Sequence, residues 1–168
     1  MKLMALDGNS LAYRAFFALP TDMATASGQV TNSVYGFCTM LNTLVKDHKP
    51  DGVIVVFDRR EKTFRHEAVP EYKAQREQQP DILYQQLDII KELLVSFGIP
   101  VIDAAGFEGD DLIAHIVDNF EGDICIWSVD KDLIQLLESG KRSVILVTPK
   151  MMTKNKRVFV AHKKQEEA

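Results

Sequence analysis

The sequence predicts an α/β fold: a mostly parallel central sheet with helices on both faces, in three layers. Three observations carry this. Short apolar runs alternate with amphipathic helical stripes along the whole chain of 168 residues, the pattern of a sheet built from strand–helix–strand units. The run Gly52-Val53-Ile54-Val55-Val56-Phe57 is apolar without alternation, as strands covered on both faces are. Asp7, Asp58 and Asp130 each follow the last apolar residue of such a run. One edge of the sheet therefore collects acid, and it is the carboxyl edge, where open α/β sheets place their sites.

The elements follow in order. Residues 2–6 form the first strand, closed by the turn Asp7-Gly8-Asn9-Ser10, and residues 11–17 a helix capped by Ser10. Residues 18–30, with Pro20, Asp22, Ser27 and Gly28, read as a loop. Thr31 or Asn32 caps a second helix with the stripe Val34, Phe37, Cys38, Leu41, Leu44 and Val45. Pro50-Asp51-Gly52 ends it and leads into the second strand. Residues 59–80 are strongly polar, punctuated by Pro70 and Pro80. Asp81 caps a long helix with stripe Leu83, Leu87, Ile90, Leu94 and Phe97, closed by Gly98. Pro100-Val101-Ile102 is a brief third strand. The stripe Leu112, Ile113, Ile116, Val117 and Phe120 then marks a helix whose start holds Glu108, Asp110 and Asp111, with Glu108 turned toward the sheet. Residues 123–128 are the fourth strand, 133–137 a short helix, 143–147 the fifth strand and 157–160 a short sixth.

Hydrophobic content of 46% and charged content of 26% are those of one globular domain able to bury a core. No apolar run approaches a membrane span, and the first run breaks into acid at Asp7, too early for a signal peptide. Cys38 and Cys125 both lie in apolar patterns without zinc spacing, so both read as buried, reduced thiols. A cytoplasmic protein is expected. The net charge of −4 argues by itself against nucleic acid as a partner, but the distribution argues otherwise. Arg59, Arg60, Lys62, Arg65, Lys73 and Arg76 face three acids in the same stretch, and residues 150–164 carry six cations and no acid. Such separation suits a protein that holds cations in one place and phosphates in another.

Seven acids are candidates for a common site: Asp7, Asp58, Glu108, Asp110, Asp111, Asp130 and Asp132. Taken singly, Asp7 reads equally well as a turn and Asp130 and Asp132 as a helix start, and the acids at 108–111 have helix-dipole chemistry as their plainer alternative. Gathered at one edge without a cation they repel one another. Hard divalent ions such as Mg²⁺ or Mn²⁺ take oxygen ligands and relieve that repulsion, and a pair of them suits phosphodiester hydrolysis. In the polar stretch, Phe64 and Tyr72 alternate with Arg65, Lys73 and Arg76, the rings and cations that single-stranded nucleic acid engages; a solvated loop is the alternative. Arg14, in the first helix after Asp7, reads as a phosphate contact or as an ordinary surface arginine. Lys131, between two acids, reads as an ion-pair partner. The tail at 150–164 either meets duplex backbone or is a frayed end.

Several motifs now stand together: Leu6-Asp7-Gly8-Asn9-Ser10-Leu11-Ala12-Tyr13-Arg14-Ala15-Phe16, Thr31-Asn32-Ser33-Val34-Tyr35-Gly36-Phe37 and Val56-Phe57-Asp58. With them go Thr63-Phe64-Arg65-His66-Glu67, Pro70-Glu71-Tyr72-Lys73-Ala74, Gly106-Phe107-Glu108-Gly109-Asp110-Asp111 and Asp130-Lys131-Asp132-Leu133. On these the chain resembles the 5′-nuclease (5′–3′ exonuclease or flap endonuclease) domain of bacterial DNA polymerase I, which has a PIN-like fold. The resemblance implies a metal-dependent nuclease of DNA repair and replication, acting on DNA with a free 5′ end or flap. It implies the seven acids as ligands of Mg²⁺ or Mn²⁺, in two ions where the family site is complete. It makes residues 59–80 a helical arch, with Lys73 and Arg76 on the scissile phosphate, Tyr72 stacking near it and Arg14 on phosphate. Residues 1–150 are then the nuclease core and 151–168 a basic tail. The family's helix–hairpin–helix segment and last two aspartates lie beyond the matched motifs, so a further nuclease segment or a polymerase domain is an implied partner. Gly109, Val129 and Gln75 stand where family members usually have alanine, glycine and asparagine. Two other readings accompany this one: a DNA-binding module of the same fold that cuts nothing, and an aspartyl-phosphate phosphohydrolase, which needs an acid where Asn9 stands.

Overall fold

Lys2–Asp7 (β1) is buried along nearly its whole length, and the sheet grows outward from it. The structure is a computed structural model that describes residues 1–59, 80–138, 144–149 and 156–161. Strand β1 pairs in parallel with Gly52–Val56 (β2) on one side. Val101–Ile102 (β3) continues that side in parallel. On the other side Asp123–Trp127 (β4) and then Val144–Pro149 (β5) add in parallel, and Lys156–Ala161 (β6) closes the edge antiparallel. The order is β3-β2-β1-β4-β5-β6. This is the mostly parallel sheet that the alternating pattern predicts.

Side-chain alternation along the strands assigns the two faces. Met4, Leu6, Val55, Phe57, Cys125 and Trp127 pack against the helices Gly8–Ala18 (α1), Asn32–His48 (α2) and Asp81–Ser96 (α3). Their neighbours Val56, Ile124 and Ile126 pack on the opposite face against Gly109–Asn119 (α4) and the 3₁₀ helix Lys131–Glu138. The chain thus has helices on both faces. Among the described residues no helix is long and apolar enough to cross a membrane.

Helices α1 and α2 approach closely because Gly36 has no side chain. A Cβ there would lie 2.7 Å from Ala15 Cβ and 3.1 Å from Leu19 Cδ1. Substitution Gly36→Ala is expected to cost about 1–3 kcal/mol through overpacking, even though alanine favours the helix. Urea titration at constant m-value checks it.

Four local expectations need correction. Asp7, not Ser10, caps α1: its side chain accepts from the Ser10 amide, because the short acid at the strand end already faces the free amides of the first turn. Pro80 holds the cap position of α3, and Asp81 lies inside its first turn. Phe97 is 66% exposed, since α3 ends at Ser96, one residue before it. Cys125 is buried, but Cys38 is only half-buried, on the rim of a groove between α2 and α3.

Candidate active site at the carboxyl edge of the sheet

Parallel register brings the strand ends level. Asp7 stands opposite Val56 on β2, and Leu6 opposite Trp127 on β4. Ser128, the first residue after β4, therefore arrives beside Asp7, and Asp58 lies two residues past the end of β2 at the same edge of the sheet. Asp7 Oδ2 accepts from Ser10 Oγ at 2.6 Å and from Ser128 Oγ at 2.7 Å, and its Oδ1 from the Ser10 amide at 3.1 Å. The Ser128 oxygen accepts in turn from the Asp130 amide at 3.0 Å, and Asp130 Oδ1 from the Asp132 amide at 2.8 Å. A single line of bonds thus runs from β1 to the start of the 3₁₀ helix.

Asp58 is held from two directions, and the residue after it is anchored as well. Its amide donates to Asn9 Oδ1 at 2.8 Å. Its carboxylate accepts from the Gly109 amide, at the first turn of α4. The next residue, Arg59, donates to Asp103 Oδ1 at 2.8 Å, and Lys91 stands 3.6 Å from the same carboxylate. Gly109 permits the approach: a Cβ there would stand 3.1 Å from Asp58 Oδ1, so an alanine would oblige the carboxylate to shift. The carboxylate of Asp111 turns back to accept from the Glu108 amide at 3.0 Å, which caps α4.

The electrostatics centre on Asp110. Burial first, then a hydrogen bond with Asp130, then the charges of Asp7, Asp130 and Asp58 push its carboxyl up to about 8. Asp7, Asp58 and Asp130, from three other segments, are therefore each close enough to Asp110 to oppose its ionisation. Asp7 accepts from hydroxyls and an amide, Asp58 and Asp130 each accept from an amide, and Asp110 is hydrogen-bonded to Asp130. Among the described residues no group of three acids, histidines or cysteines is already set to hold a metal ion.

Arg14 is half-buried on α1, roughly 10 Å along the helix axis from Asp7. The remaining sequence candidates, Phe64, Arg65, Tyr72, Lys73 and Arg76, lie outside the described residues, as does most of the basic tail. Sequence reasoning missed Asn9, Ser10 and Ser128, which hold the acids in place. Their signal is slight: Asn9 and Ser10 are small polar residues in the first turn of α1, and Ser128 is one just past the end of β4.

Residues 2–166 match the family described as the 5′-3′ exonuclease, N-terminal resolvase-like domain. The chain belongs to this family. It is 42% identical over 150 residues to a 5′-3′ exonuclease of Aquifex aeolicus, covering 88% of this chain and 50% of that protein. It is 40% identical over 155 residues to DNA polymerase I of Bacillus subtilis, covering 90% of this chain and 17% of the polymerase. The chain thus spans half or less of the length of these relatives. Among solved structures, a bacteriophage T5 protein co-crystallised with metal ions superposes with a TM-score of 0.68 at 24% identity, over 93% of this chain and 57% of that one. Flap endonuclease-1 from Methanococcus jannaschii superposes with a TM-score of 0.55 at 16% identity, over 96% and 57%. At those identities the superpositions establish the fold, and it is the PIN-like fold of the flap endonucleases.

Proposed function

We propose that this chain is the core of a divalent-metal-dependent 5′-nuclease that hydrolyses DNA phosphodiesters at a free 5′ end or flap. The observation that carries the proposal is the convergence of Asp7, Asp58, Asp110 and Asp130, where burial first and then the three other acids raise Asp110. An oxygen-only set with surplus negative charge fits Mg²⁺ or Mn²⁺. Those four, with Glu108, Asp111 and Asp132 around them, are the residues that would hold the ions. A bound ion supplies positive charge against the phosphodiester and a more acidic water.

The chain's own groups do the rest. Ser10, Ser128 and the Gly109 amide fix the directions of Asp7 and Asp58. Arg14 offsets phosphate charge from α1, while Lys73 and Arg76 do so on the scissile phosphate. Phe64, Arg65 and Tyr72, which lie outside the described residues, bind the single strand in this reading. The relatives named DNA polymerase I favour work beside a polymerase domain or a further nuclease segment, in the bacterial cytosol. An aspartyl-phosphate route is disfavoured by Asn9, whose side-chain oxygen is taken by the Asp58 amide at 2.8 Å.

The test is cleavage of a 5′-labelled flap DNA with Mg²⁺, with Mn²⁺ and with EDTA. Short 5′ products are expected with either ion and none with EDTA. Retained DNA binding without any product would replace the nuclease by the non-cutting module of the same fold. Loss of both binding and cleavage would overturn the reading outright.

A further inference from the structure

Ser128 is fully buried at the end of β4, in a position that a hydrophobic residue would fill at lower cost. A hydroxyl buried there must find partners for its proton and its lone pairs. It finds two, both at the acid cluster. The proton goes to Asp7 Oδ2 at 2.7 Å, and the oxygen accepts from the Asp130 amide at 3.0 Å. Ser128 and Asp7 are separated by 121 residues in the chain, and the bond adds a side-chain tie where the backbone pairing of β1 with β4 ends at Leu6 and Trp127. The other hydroxyl on Asp7 belongs to Ser10, three residues on in the same cap, and carries no information about where β4 ends.

We propose that Ser128 is a positioning residue that sets the separation of the Asp7 and Asp130 carboxylates and so tunes cation affinity at the site. It rests on the reading of this edge as a metal site and adds a group that is not itself a ligand. One hydroxyl orients two acids at once: the side chain of Asp7 directly, and that of Asp130 through its backbone. Removing it leaves Asp7 Oδ2 with Ser10 alone and frees the Asp130 amide to move with its loop. Residues that orient metal ligands from behind typically account for about 10–100-fold in affinity.

The experiment measures Mn²⁺ binding to the full chain by the loss of the free-ion electron paramagnetic resonance signal, without DNA. Wild type, Ser128→Ala and Ser128→Thr are compared, with unfolding in EDTA recorded for each. Ser128→Ala should bind Mn²⁺ about 10-fold or more weakly, while Ser128→Thr, which keeps the hydroxyl, should stay within about 3-fold of wild type. A purely structural serine would move the unfolding midpoint in EDTA and leave affinity alone. Should the alanine variant lack the native circular dichroism spectrum, Ser128→Cys takes its place, with similar volume and only a weak donor. Wild-type affinity in the alanine or cysteine variant, or a threonine variant as weak as alanine, overturns the proposal while leaving the metal site intact. No Mn²⁺ binding by wild type removes the metal reading and this inference together.

Discussion

Substituting Asp110→Asn is expected to abolish metal-dependent cleavage and, in EDTA at alkaline pH, to make the protein more stable than wild type. The two effects share one cause. The Asp110 carboxyl is pushed up to about 8 by burial, by its hydrogen bond with Asp130 and by the charges of Asp7, Asp130 and Asp58. In the folded protein it keeps a proton that the unfolded chain releases near the ordinary carboxylate range. Folded Asp110 thus contributes fully at pH below its unfolded value of 3.8, and that contribution is lost as pH rises toward about 8, beyond which the curve flattens. Asparagine is neutral throughout and its amide donates to Asp130 as the protonated acid does, so the variant escapes the loss. Since the site is partly open to water, the discounted gain is about 1–2 kcal/mol at pH about 9, a rise in Tm of roughly 2–8 °C, and it should vanish near pH about 4. Cleavage should fall by about 100-fold or more, because an amide oxygen carries no charge with which to hold a cation. Urea unfolding of both proteins in EDTA at several pH values decides the matter. Parallel stability curves for the two would mean that Asp110 does not sit among opposing charges.

That trade between stability and function was partly visible in the amino-acid order. Apolar runs ending in aspartate marked the sheet, its carboxyl edge and the acids there, because strand period and chain direction are local properties. What puts Asp58 against the Gly109 amide, or Ser128 against Asp7, is register between strands distant in sequence. No spacing rule encodes that. The cap of α1 shows a smaller version of the same limit. Asp7 and Ser10 are both good capping residues, and the structure uses them together: Asp7 accepts from the Ser10 amide and from its hydroxyl. Gln86, which no motif singled out, carried a readable sign. It lies three positions after Leu83 and one before Leu87, both buried, so a polar side chain on that stripe had to have partners waiting.

Those partners make Gln86→Ala the substitution with the largest expected effect on stability. Gln86 is fully buried on α3. Its Oε1 accepts from the Ser33 amide at 2.7 Å and the Val34 amide at 3.1 Å, in the first turn of α2. Thr31, at the cap position of that helix, makes no side-chain cap bond, so α2 is capped from a different helix. Through Nε2 the same amide donates to Asn32 Oδ1 at 2.8 Å, and Asn32 donates to the Phe16 and Leu19 carbonyls at 2.9 and 3.1 Å. One side chain thereby joins α1, α2 and α3 over the helical face of the core. Truncation to alanine leaves two amides and one carbonyl oxygen without partners in a dry interior, and adds a cavity. The expected cost is about 3–5 kcal/mol. Substitution Gln86→Glu separates the bonds from the volume. A protonated glutamic acid supplies both an acceptor for the α2 amides and a donor for Asn32, whereas the carboxylate supplies only acceptors and buries a charge. The Glu variant should therefore be closer to wild type at about pH 4 than at about pH 8, while the alanine variant should show the same deficit at both. A pH-independent deficit in the Glu variant would show that packing, and not the hydrogen-bond network, is what Gln86 contributes.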